Sequence, residues 1–390
     1  MYKFGLCDDP WDNEELGAIV DVVRSGRYTM NGKVREFQKQ FANHYGAKYA
    51  VMVNSGSSAN LVAIAALVTS GRLSLGSEVI VPAVSWSTTF FPLQQYGMKL
   101  VFVDINPETL NIDVEKFKAA ITPNTKMFFA VNLLGNPNEY DEIEKICYEN
   151  KILLVEDNCE SLGGKYKGRN LGTFGLLGTF STFYSHHMVT MEGGMILTDD
   201  QELYEYMIAI RAHGWTRDIP EDAIIYKKNP EPFYENFNFI VPGYNVRPIE
   251  MEGAIGLVQM KKIDGFIEQR RKNAAYFKEK LSKYEDIQIQ KEISESSWFG
   301  FAVILKGKLE GKRDVLVNKL RESDIEVRPI VAGNFTRNYV IKYFNFEIFG
   351  DLKNADYVHD NGFFIGNHSS DNHELIDYFC EVLDKAISEI

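Results

Sequence analysis

Short runs of apolar and β-branched residues recur along the first 200 positions, and most show no alternation of polar and apolar residues. A strand that is buried on both faces of a sheet gives this pattern, whereas a strand with one solvent face alternates. Stretches with helical periodicity separate the runs. The pattern therefore predicts a doubly wound α/β domain with a largely parallel sheet. The predicted strands are 50–53, 78–81, 99–104, 127–132, 152–156, 178–184 and 194–198.

The pattern changes after about residue 245. A long charged amphipathic stretch at 251–284 predicts one or two helices. It is followed by a predicted strand at 296–305, a helix at 312–323, a strand at 325–329 and a C-terminal helix at 373–388. We therefore expect two domains, a large domain at 1–245 and a smaller α+β domain at 246–390. A length of 390 residues, with 45% hydrophobic and 25% charged residues, suits two soluble domains.

The net charge of the chain and the spacing of its cysteines indicate which kinds of ligand to expect. The formal net charge of -12 argues against a broad basic surface for nucleic acid. No apolar run approaches the roughly 18 residues of a membrane span, and the first residues lack a signal-peptide core. The cysteines have no CxxC spacing, which predicts reduced thiols in a cytoplasmic protein and no metal site built on cysteine. They are Cys7, Cys147, Cys159 and Cys380. Small-molecule ligands are expected, without nucleic-acid or membrane partners.

Two stretches suggest a cofactor site at strand ends. In SGSSAN, at 55–60, Gly56 and Ser57 open a helix after a strand, where exposed N–H groups and the helix dipole favour a phosphate. A capped helix with a tight turn gives the same pattern. Trp86 follows the strand at 78–81, where it could stack on a flat ring, although a buried structural tryptophan is an equal alternative.

Polar residues follow two later strands. Asp157 in EDN could hold a protonated ring nitrogen, although a helix cap is a common use of such a residue. Ser181 could add a hydroxyl to the phosphate. His186, in FYSHHMVTMEGG, could move a proton because its ordinary pKa is about 6.5; a structural imidazole is the alternative. The pair His186 and His187 has no carboxylate at ligand spacing, which argues against a metal site.

Further along, RAHGWTRD and VPGYNVRP supply candidate anion ligands. Arg217 and Arg247 are candidate clamps and Asn245 is a candidate phosphate donor. Surface ion pairs and turn structure explain each residue equally well when it is taken alone.

The order of these stretches is more specific than any one of them. Strand–SGSSAN, Trp86, EDN, S…HH…EGG and GYNVRP together resemble the sugar aminotransferase branch of the fold-type I pyridoxal phosphate (PLP) enzymes, the DegT/DnrJ/EryC1/StrS family, over nearly the whole chain. The resemblance implies an aspartate-aminotransferase-like fold with a large mixed-sheet domain. It also implies a homodimer whose active sites are shared between subunits.

The resemblance further implies residue roles. Trp86 would stack on the pyridine ring, Asp157 would keep the ring nitrogen protonated, and Glu160 would lie near the ring hydroxyl, where the family often has glutamine. The phosphate ligands would be Gly56, Ser57, Ser181 and, from the other subunit, Asn245. The substrate-side candidates are Ser185, His213, Arg217 and Arg328.

One position departs from the family pattern. The lysine that binds PLP covalently stands six residues before the Glu of E-G-G, and here that position, counted from Glu192, is His186. No lysine occurs between Lys167 and Lys227 to replace it. An imidazole cannot hold PLP covalently but can move a proton. This resembles the dehydratase subgroup, in which non-covalent pyridoxamine phosphate (PMP) would act on a 4-keto nucleotide sugar, releasing ammonia, and L-glutamate would restore PMP.

Several alternatives stay open on the sequence. The iron–sulfur type of dehydratase is disfavoured because Cys380 is the only cysteine after RAHGWTRD. A nucleotide-sugar 4-aminotransferase shares the scaffold but would need the lysine. A catalytically inactive relative is the third alternative. The presence of Asp157 argues against it, because an inactive site does not need a carboxylate for the ring nitrogen. The nucleotide is not specified by any single stretch.

Overall fold

The computed structural model describes residues 2–390. The helices are α1 (Asn13–Ser25), α2 (Gly32–Tyr45), α3 (Gly56–Thr69), α4 (Ser87–Gln95), α5 (Val114–Ala119), α6 (Tyr140–Asn150), α7 (Gln201–Ile210), α8 (Pro232–Glu235), α9 (Glu250–Leu281), α10 (Arg313–Glu322), α11 (Lys353–Asn361) and α12 (His373–Ser388). The strands are β1 (Tyr49–Val53), β2 (Glu78–Pro82), β3 (Lys99–Val103), β4 (Thr125–Val131), β5 (Leu153–Asp157), β6 (Lys165–Tyr166), β7 (Arg169–Asn170), β8 (Leu177–Ser181), β9 (Gly194–Thr198), β10 (Ile287–Ile289), β11 (Gly300–Leu305), β12 (Phe346–Ile348) and β13 (Gly362–Gly366).

An eight-stranded mixed sheet forms the centre of the larger part, in the order β1-β9-β8-β5-β4-β2-β3-β12. Adjacent strands from β8 to β12 in this order are parallel, whereas β9 is antiparallel to both of its neighbours. The predicted α/β class with a mixed sheet is confirmed. Since β1 and β8 each run opposite to β9, the carboxyl ends of β1, β2, β4, β5 and β8 all lie along one edge of the sheet.

The absence of polar alternation has a direct cause in the packing. In β2, Val79 and Val81 belong to one hydrophobic cluster and Ile80 to another. Successive side chains of a strand point to opposite faces, so both faces of the sheet are covered. Helix α3, rich in alanine, valine and leucine, packs against α4, α7, β8 and β9 and is mostly buried.

The strand predicted at 178–184 ends earlier than expected. β8 stops at Ser181, and a loop follows up to the start of β9. Thr182 closes the base of this loop, because its N–H donates to Gly193 O at 2.9 Å and its carbonyl accepts from Thr190 N–H at 2.9 Å. Gly193 has φ 150°, and a Cβ there would lie 2.3 Å from Thr182 Oγ1, so the closure requires glycine. The loop carries both histidines.

The C-terminal part builds a three-stranded antiparallel sheet in the order β10-β11-β13. Its core includes Phe277, Phe301, Leu316 and Phe379. The amphipathic stretch is one continuous helix, α9, which packs against α1, α2 and α12. Strand β12 returns to the edge of the large sheet and pairs with β3. The domain division at residue 245 stays a prediction.

Candidate active site

A cavity of about 280 Å³ opens where the strand ends meet. It is lined by residues that follow β1, β2, β4, β5 and β8, together with side chains from the C-terminal part. Nine of the residues proposed from the sequence line it: Gly56, Ser57, Trp86, Asp157, Glu160, Ser181, Ser185, His186 and Arg328. Residues far apart in the chain therefore meet here because parallel strands end at one edge.

One end of the cavity is the N-terminus of α3. Ser55 caps the helix by accepting from Ser58 N–H at 3.1 Å, and Ser57 Oγ donates to Thr88 Oγ1 at 3.0 Å. A Cβ on Gly56 would lie 2.6 Å from Ser181 Cβ. The helix therefore approaches the end of β8 closely only because residue 56 is glycine. Free N–H groups and the helix dipole make this end suitable for a phosphate.

Asp157, at the end of β5, is held by several donors. Its Oδ2 accepts from Asn60 Nδ2 at 2.9 Å and from Thr89 Oγ1 at 2.7 Å. Its Oδ1 accepts from Cys159 N–H at 3.1 Å. Thr179 Oγ1 in turn donates to Asn60 Oδ1 at 2.6 Å and fixes the orientation of that amide. This network orients a carboxylate that is only 6% exposed, which suits recognition of a protonated ring nitrogen.

The sequence interpretation missed Asn60 and Thr89 as supports of Asp157. Asn60 lies inside the SGSSAN stretch and Thr89 lies three residues after Trp86, so both are close in sequence to predicted site residues. Helical periodicity places residue 60 one turn beyond residue 56, on the same helix face. That signal places Asn60 near the site but does not identify its partner.

Trp86 stands directly before α4, at the mouth of the cavity. It is 56% exposed, which is unusual for so large an apolar side chain. An exposed indole beside a polar cavity provides a platform on which a flat ring can stack.

His186 lies on the loop after β8 and packs edge-on against Phe299, with ring centroids 5.1 Å apart. Its Nδ1 is buried and has no hydrogen-bond partner among the described residues. Burial, helped by the positive charge of Arg270, lowers the pKa of His186 to about 3. The imidazole is therefore neutral and able to accept a proton. Within residues 2–390, no lysine lines the cavity.

The neighbouring His187 is buried and does not line the cavity. Its Nε2 lies 3.1 Å from the carbonyl oxygen of Ser297, so Nε2–H is the donor. Burial lowers its pKa well below the ordinary value. A neutral imidazole that ties the loop to residue 297 is a structural group.

Two further charged groups face the cavity. Glu160 accepts from Leu134 N–H at 3.1 Å, and burial together with the negative charge of Asp157 raises its pKa to about 7. Arg328 is 3.2 Å from Glu326 and is the one arginine or lysine among the described lining residues. A carboxyl that is protonated below about pH 7 on one wall, and a guanidinium on another, give the cavity both a hydrogen-bond donor and an anion ligand.

Four predicted residues lie outside this cavity: His213, Arg217, Asn245 and Arg247. Asn245 pairs with Ala212 in an isolated bridge and accepts from Arg247 Nε at 3.1 Å. The Arg217 guanidinium lies 4.2 Å above the Trp215 ring. Together they form a separate group, the 213–247 cluster, which one chain alone does not bring to the cavity.

The chain matches the DegT/DnrJ/EryC1/StrS aminotransferase family over residues 10–384 and belongs to it. Among its relatives is the GDP-4-keto-6-deoxy-D-mannose 3-dehydratase of Yersinia pseudotuberculosis, which is 53% identical over 389 residues, 99% of each chain.

Solved structures are similar to the chain over almost its whole length. The E. coli GDP-4-keto-6-deoxy-D-mannose-3-dehydratase with bound hydrated PLP superposes with a TM-score of 0.96 at 51% identity, covering 98% of this chain and 100% of that one. A GDP-4-keto-6-deoxymannose-3-dehydratase with a trapped PLP-glutamate geminal diamine gives the same TM-score, identity and coverage. The predicted aspartate-aminotransferase-like fold is confirmed.

No helix in the described part of the chain is long and apolar enough to cross a membrane. No group of three or more histidine, cysteine, aspartate or glutamate side chains within residues 2–390 is arranged to hold a metal ion.

Proposed function

We propose that this chain is a PMP-dependent 3-dehydratase that removes the C3 hydroxyl of GDP-4-keto-6-deoxymannose. The products are GDP-4-keto-3,6-dideoxymannose and ammonia. The observation that carries the proposal is His186 in a cavity whose described lining contains no lysine. The scaffold is that of an aminotransferase family, but the group that binds PLP covalently in that family is replaced by a neutral base.

The nucleotide and the sugar come from similarity. The stretches VPAVSWSTTFFPLQQYG, VNLLGNPN, IRAHGWTR and ESSWFGF resemble the cluster-free dehydratase that acts on the GDP-linked sugar. A relative with 53% identity over 99% of both chains carries that enzyme's name. An iron–sulfur cluster is not part of the proposal.

The residues of the cavity fit a non-covalent PLP or PMP. The close approach of Gly56 to Ser181 forms a cradle in which a side chain would clash, as expected where a phosphate meets backbone. Asp157 is oriented by three donors, and Trp86 presents an exposed indole. We assign the phosphate contacts to Gly56, Ser57 and Ser181 and the ring contacts to Trp86, Asp157 and Glu160.

PMP, when bound, supplies an amine for the 4-keto carbon and an electron sink that allows the C3 hydroxyl to leave. The protein must then orient the cofactor and move protons. We assign proton transfer to Nε2 of His186, because Nδ1 is buried without a partner. The depressed pKa keeps the imidazole in the form that accepts a proton first, and the resulting imidazolium can return it to the departing hydroxyl.

A single turnover balances because PMP is oxidised to PLP, whereas repeated turnover balances only with an amino donor that restores PMP. Removal of the hydroxyl reduces C3 by two electrons, and oxidation of L-glutamate to 2-oxoglutarate and ammonia supplies them. Arg328 is positioned to bind an anionic group, from the donor or from the nucleotide sugar, and Ser185 lies beside His186 on the cavity wall. Both remain substrate-side assignments.

We also propose a cytoplasmic homodimer with shared active sites. In the 213–247 cluster, the Trp215 ring packs against the exposed rings of Phe237 and Phe239, and Phe233 and Tyr234 of the same segment are also exposed. Such a patch is typical of a surface covered by a partner. In a dimer, His213, Arg217 and Asn245 would reach the cavity of the other subunit.

Subunit complementation tests the shared site. Chains with His186→Asn and chains with Asn245→Ala are each expected to be nearly inactive. Mixed and allowed to exchange, they should regain activity, because one site of each mixed dimer has both residues intact. No regain, with exchange verified by differently tagged subunits, would place Asn245 in its own chain's site.

The dehydratase proposal itself is tested by anaerobic incubation with PMP and GDP-4-keto-6-deoxymannose. Ammonia is assayed and the sugar is analysed by mass spectrometry. Ammonia with a product lighter by one oxygen supports the proposal. A 4-amino sugar without ammonia would mean that the chain is an aminotransferase despite His186. If neither product forms, the assay is repeated with the CDP-linked sugar, and turnover there would correct the nucleotide.

A further inference from the structure

Arg270, in the second half of α9, is a buried cation that forms no ion pair within 4 Å among the described residues, and the negative charge of Asp8 offsets only part of the effect of burial on its pKa. Its side chain is 2% exposed. The guanidinium donates from Nη1 to the carbonyl oxygens of Phe299, at 3.3 Å, and Asn367. Its Nε is buried and has no partner. Burying an unpaired charge is costly, so this position calls for a reason beyond packing.

The carbonyl contacts connect Arg270 to the histidine loop. Phe299 N–H donates to Leu134 O at 3.0 Å, so Phe299 is held by its backbone at both N–H and carbonyl. The ring of Phe299 packs against His186 at 5.1 Å and against His187 at 5.6 Å. Asn367 supports the same arrangement by donating to Trp298 O at 2.8 Å.

We propose that Arg270 is a positioning residue for His186: it fixes the Phe299 wall behind the imidazole and places a permanent positive charge near it. The inference rests on the proposed function only in the role given to His186. A fixed cation near the imidazole disfavours its protonated form, so the base is unoccupied when substrate arrives.

Other charged groups face His186 from the elements around it. Carboxylates line the cavity at Asp157, Glu160 and Glu192, the guanidinium of Arg328 lies on the C-terminal wall, and His187 is the neighbour in the loop. Of the surrounding charges, Arg270 is the one that lowers the pKa of His186, after burial itself. It also lowers the pKa of His187. Both imidazoles therefore respond to the same buried charge.

The test compares Arg270→Met, which keeps a long apolar stem, with Arg270→Lys, which keeps the charge. The full-length protein is labelled with ¹⁵N-histidine and studied by NMR with and without PLP. Only seven histidines contribute, and a His186→Asn sample assigns the signal. Circular dichroism verifies that each variant is folded.

Arg270→Met is expected to raise the pKa of His186 by about one unit, which increases the protonated fraction at pH 5 about tenfold. Arg270→Lys is expected to leave His186 neutral. An unchanged protonated fraction in folded Arg270→Met would overturn the proposal. If Arg270→Met does not fold, the result for Arg270→Lys tests the proposal. Protonation of His186 in Arg270→Lys at pH 5, although the positive charge is retained, would also overturn the proposal.

Kinetics give a second readout. With GDP-4-keto-6-deoxymannose and L-glutamate, Arg270→Met should lower kcat more than it changes KM, and the loss should grow as the pH falls below about 5, where the raised pKa begins to protonate His186. A purely structural role predicts a loss that does not depend on pH. Because the NMR titration needs no turnover, its result stands even if the chain proves not to be a dehydratase.

Discussion

Replacing Gly56 by alanine should damage the phosphate end of the site. The new Cβ would lie 2.6 Å from Ser181 Cβ and 2.9 Å from Cys159 Sγ. Carbon atoms in contact normally lie about 3.5–4.0 Å apart, so α3 or β8 must move by roughly 1 Å. Overpacking of this kind costs about 1–3 kcal/mol. The movement also enlarges the gap between the helix N-terminus and Ser181, where we place the phosphate.

Two measurements follow from that magnitude. Urea unfolding should report a loss of about 1–3 kcal/mol in the free energy of unfolding. If the same 1–3 kcal/mol is lost where the phosphate binds, titration with PLP, followed by absorbance, should show binding weaker by roughly 5- to 150-fold, since each 1.4 kcal/mol corresponds to a factor of ten. The clash acts at the site, so affinity and stability should fall together.

Gly265→Ala is the matched control. Gly265 is an exposed residue of α9, and a Cβ there would meet nothing within 4 Å. This change should stabilise the protein by about 0.5–1 kcal/mol through helix propensity and leave PLP affinity unchanged. If Gly56→Ala retained full stability and full PLP affinity, the close approach of α3 to β8 would not be what forms the phosphate site.

Three other changes test separate parts of the account. His186→Lys should bind PLP covalently, giving a visible chromophore that borohydride fixes to the chain, and should abolish 3-dehydration; an unchanged dehydration rate would refute the role of His186. Thr89→Val keeps the shape but removes the 2.7 Å donor to Asp157 Oδ2, and the loss of about 1.5 kcal/mol should lower kcat/KM for ammonia release about tenfold. Equal kcat/KM would show that this donor does not matter. The pKa of Glu160 is raised to about 7, so its stabilising contribution is complete below the ordinary pKa of about 4.5 and is lost as the pH rises through about 7. In urea unfolding between pH 5 and 8, the wild-type protein should therefore lose stability relative to Glu160→Gln, and a constant difference would contradict the raised pKa.

The sequence pattern predicted well which residues at the carboxyl ends of strands meet in the cavity. Gly56, Trp86, Asp157 and Ser181 each stand just after a run of buried residues, and the carboxyl ends of those strands share one edge. Local periodicity and strand direction suffice to bring such residues together. Their roles toward the cofactor remain predictions.

Long-range supports could not be predicted in the same way. Arg270 lies in the middle of a charged amphipathic helix, where an arginine ordinarily faces solvent, and only tertiary packing reveals that it is buried. The end of β8 at Ser181 was also missed, because Thr182, Phe183 and Tyr184 have strong strand propensity. The loop closure by Gly193 outweighs that propensity.

His213, Arg217 and Asn245 illustrate a further limit. One chain holds all three residues away from the cavity, which agrees with the prediction that Asn245 acts from the other subunit, whereas no such position was predicted for His213 and Arg217. A contribution made across a subunit interface is determined by how two chains associate, which local sequence pattern does not encode.

The most direct test of the central claim follows the nitrogen of L-[¹⁵N]glutamate during turnover of GDP-4-keto-6-deoxymannose. With His186 as the base and no lysine in the described cavity, the account predicts ¹⁵N-ammonium, 2-oxoglutarate and a sugar nucleotide that lacks one oxygen and carries no ¹⁵N. Recovery of the ¹⁵N in a 4-amino sugar, with the C3 hydroxyl retained, would contradict it.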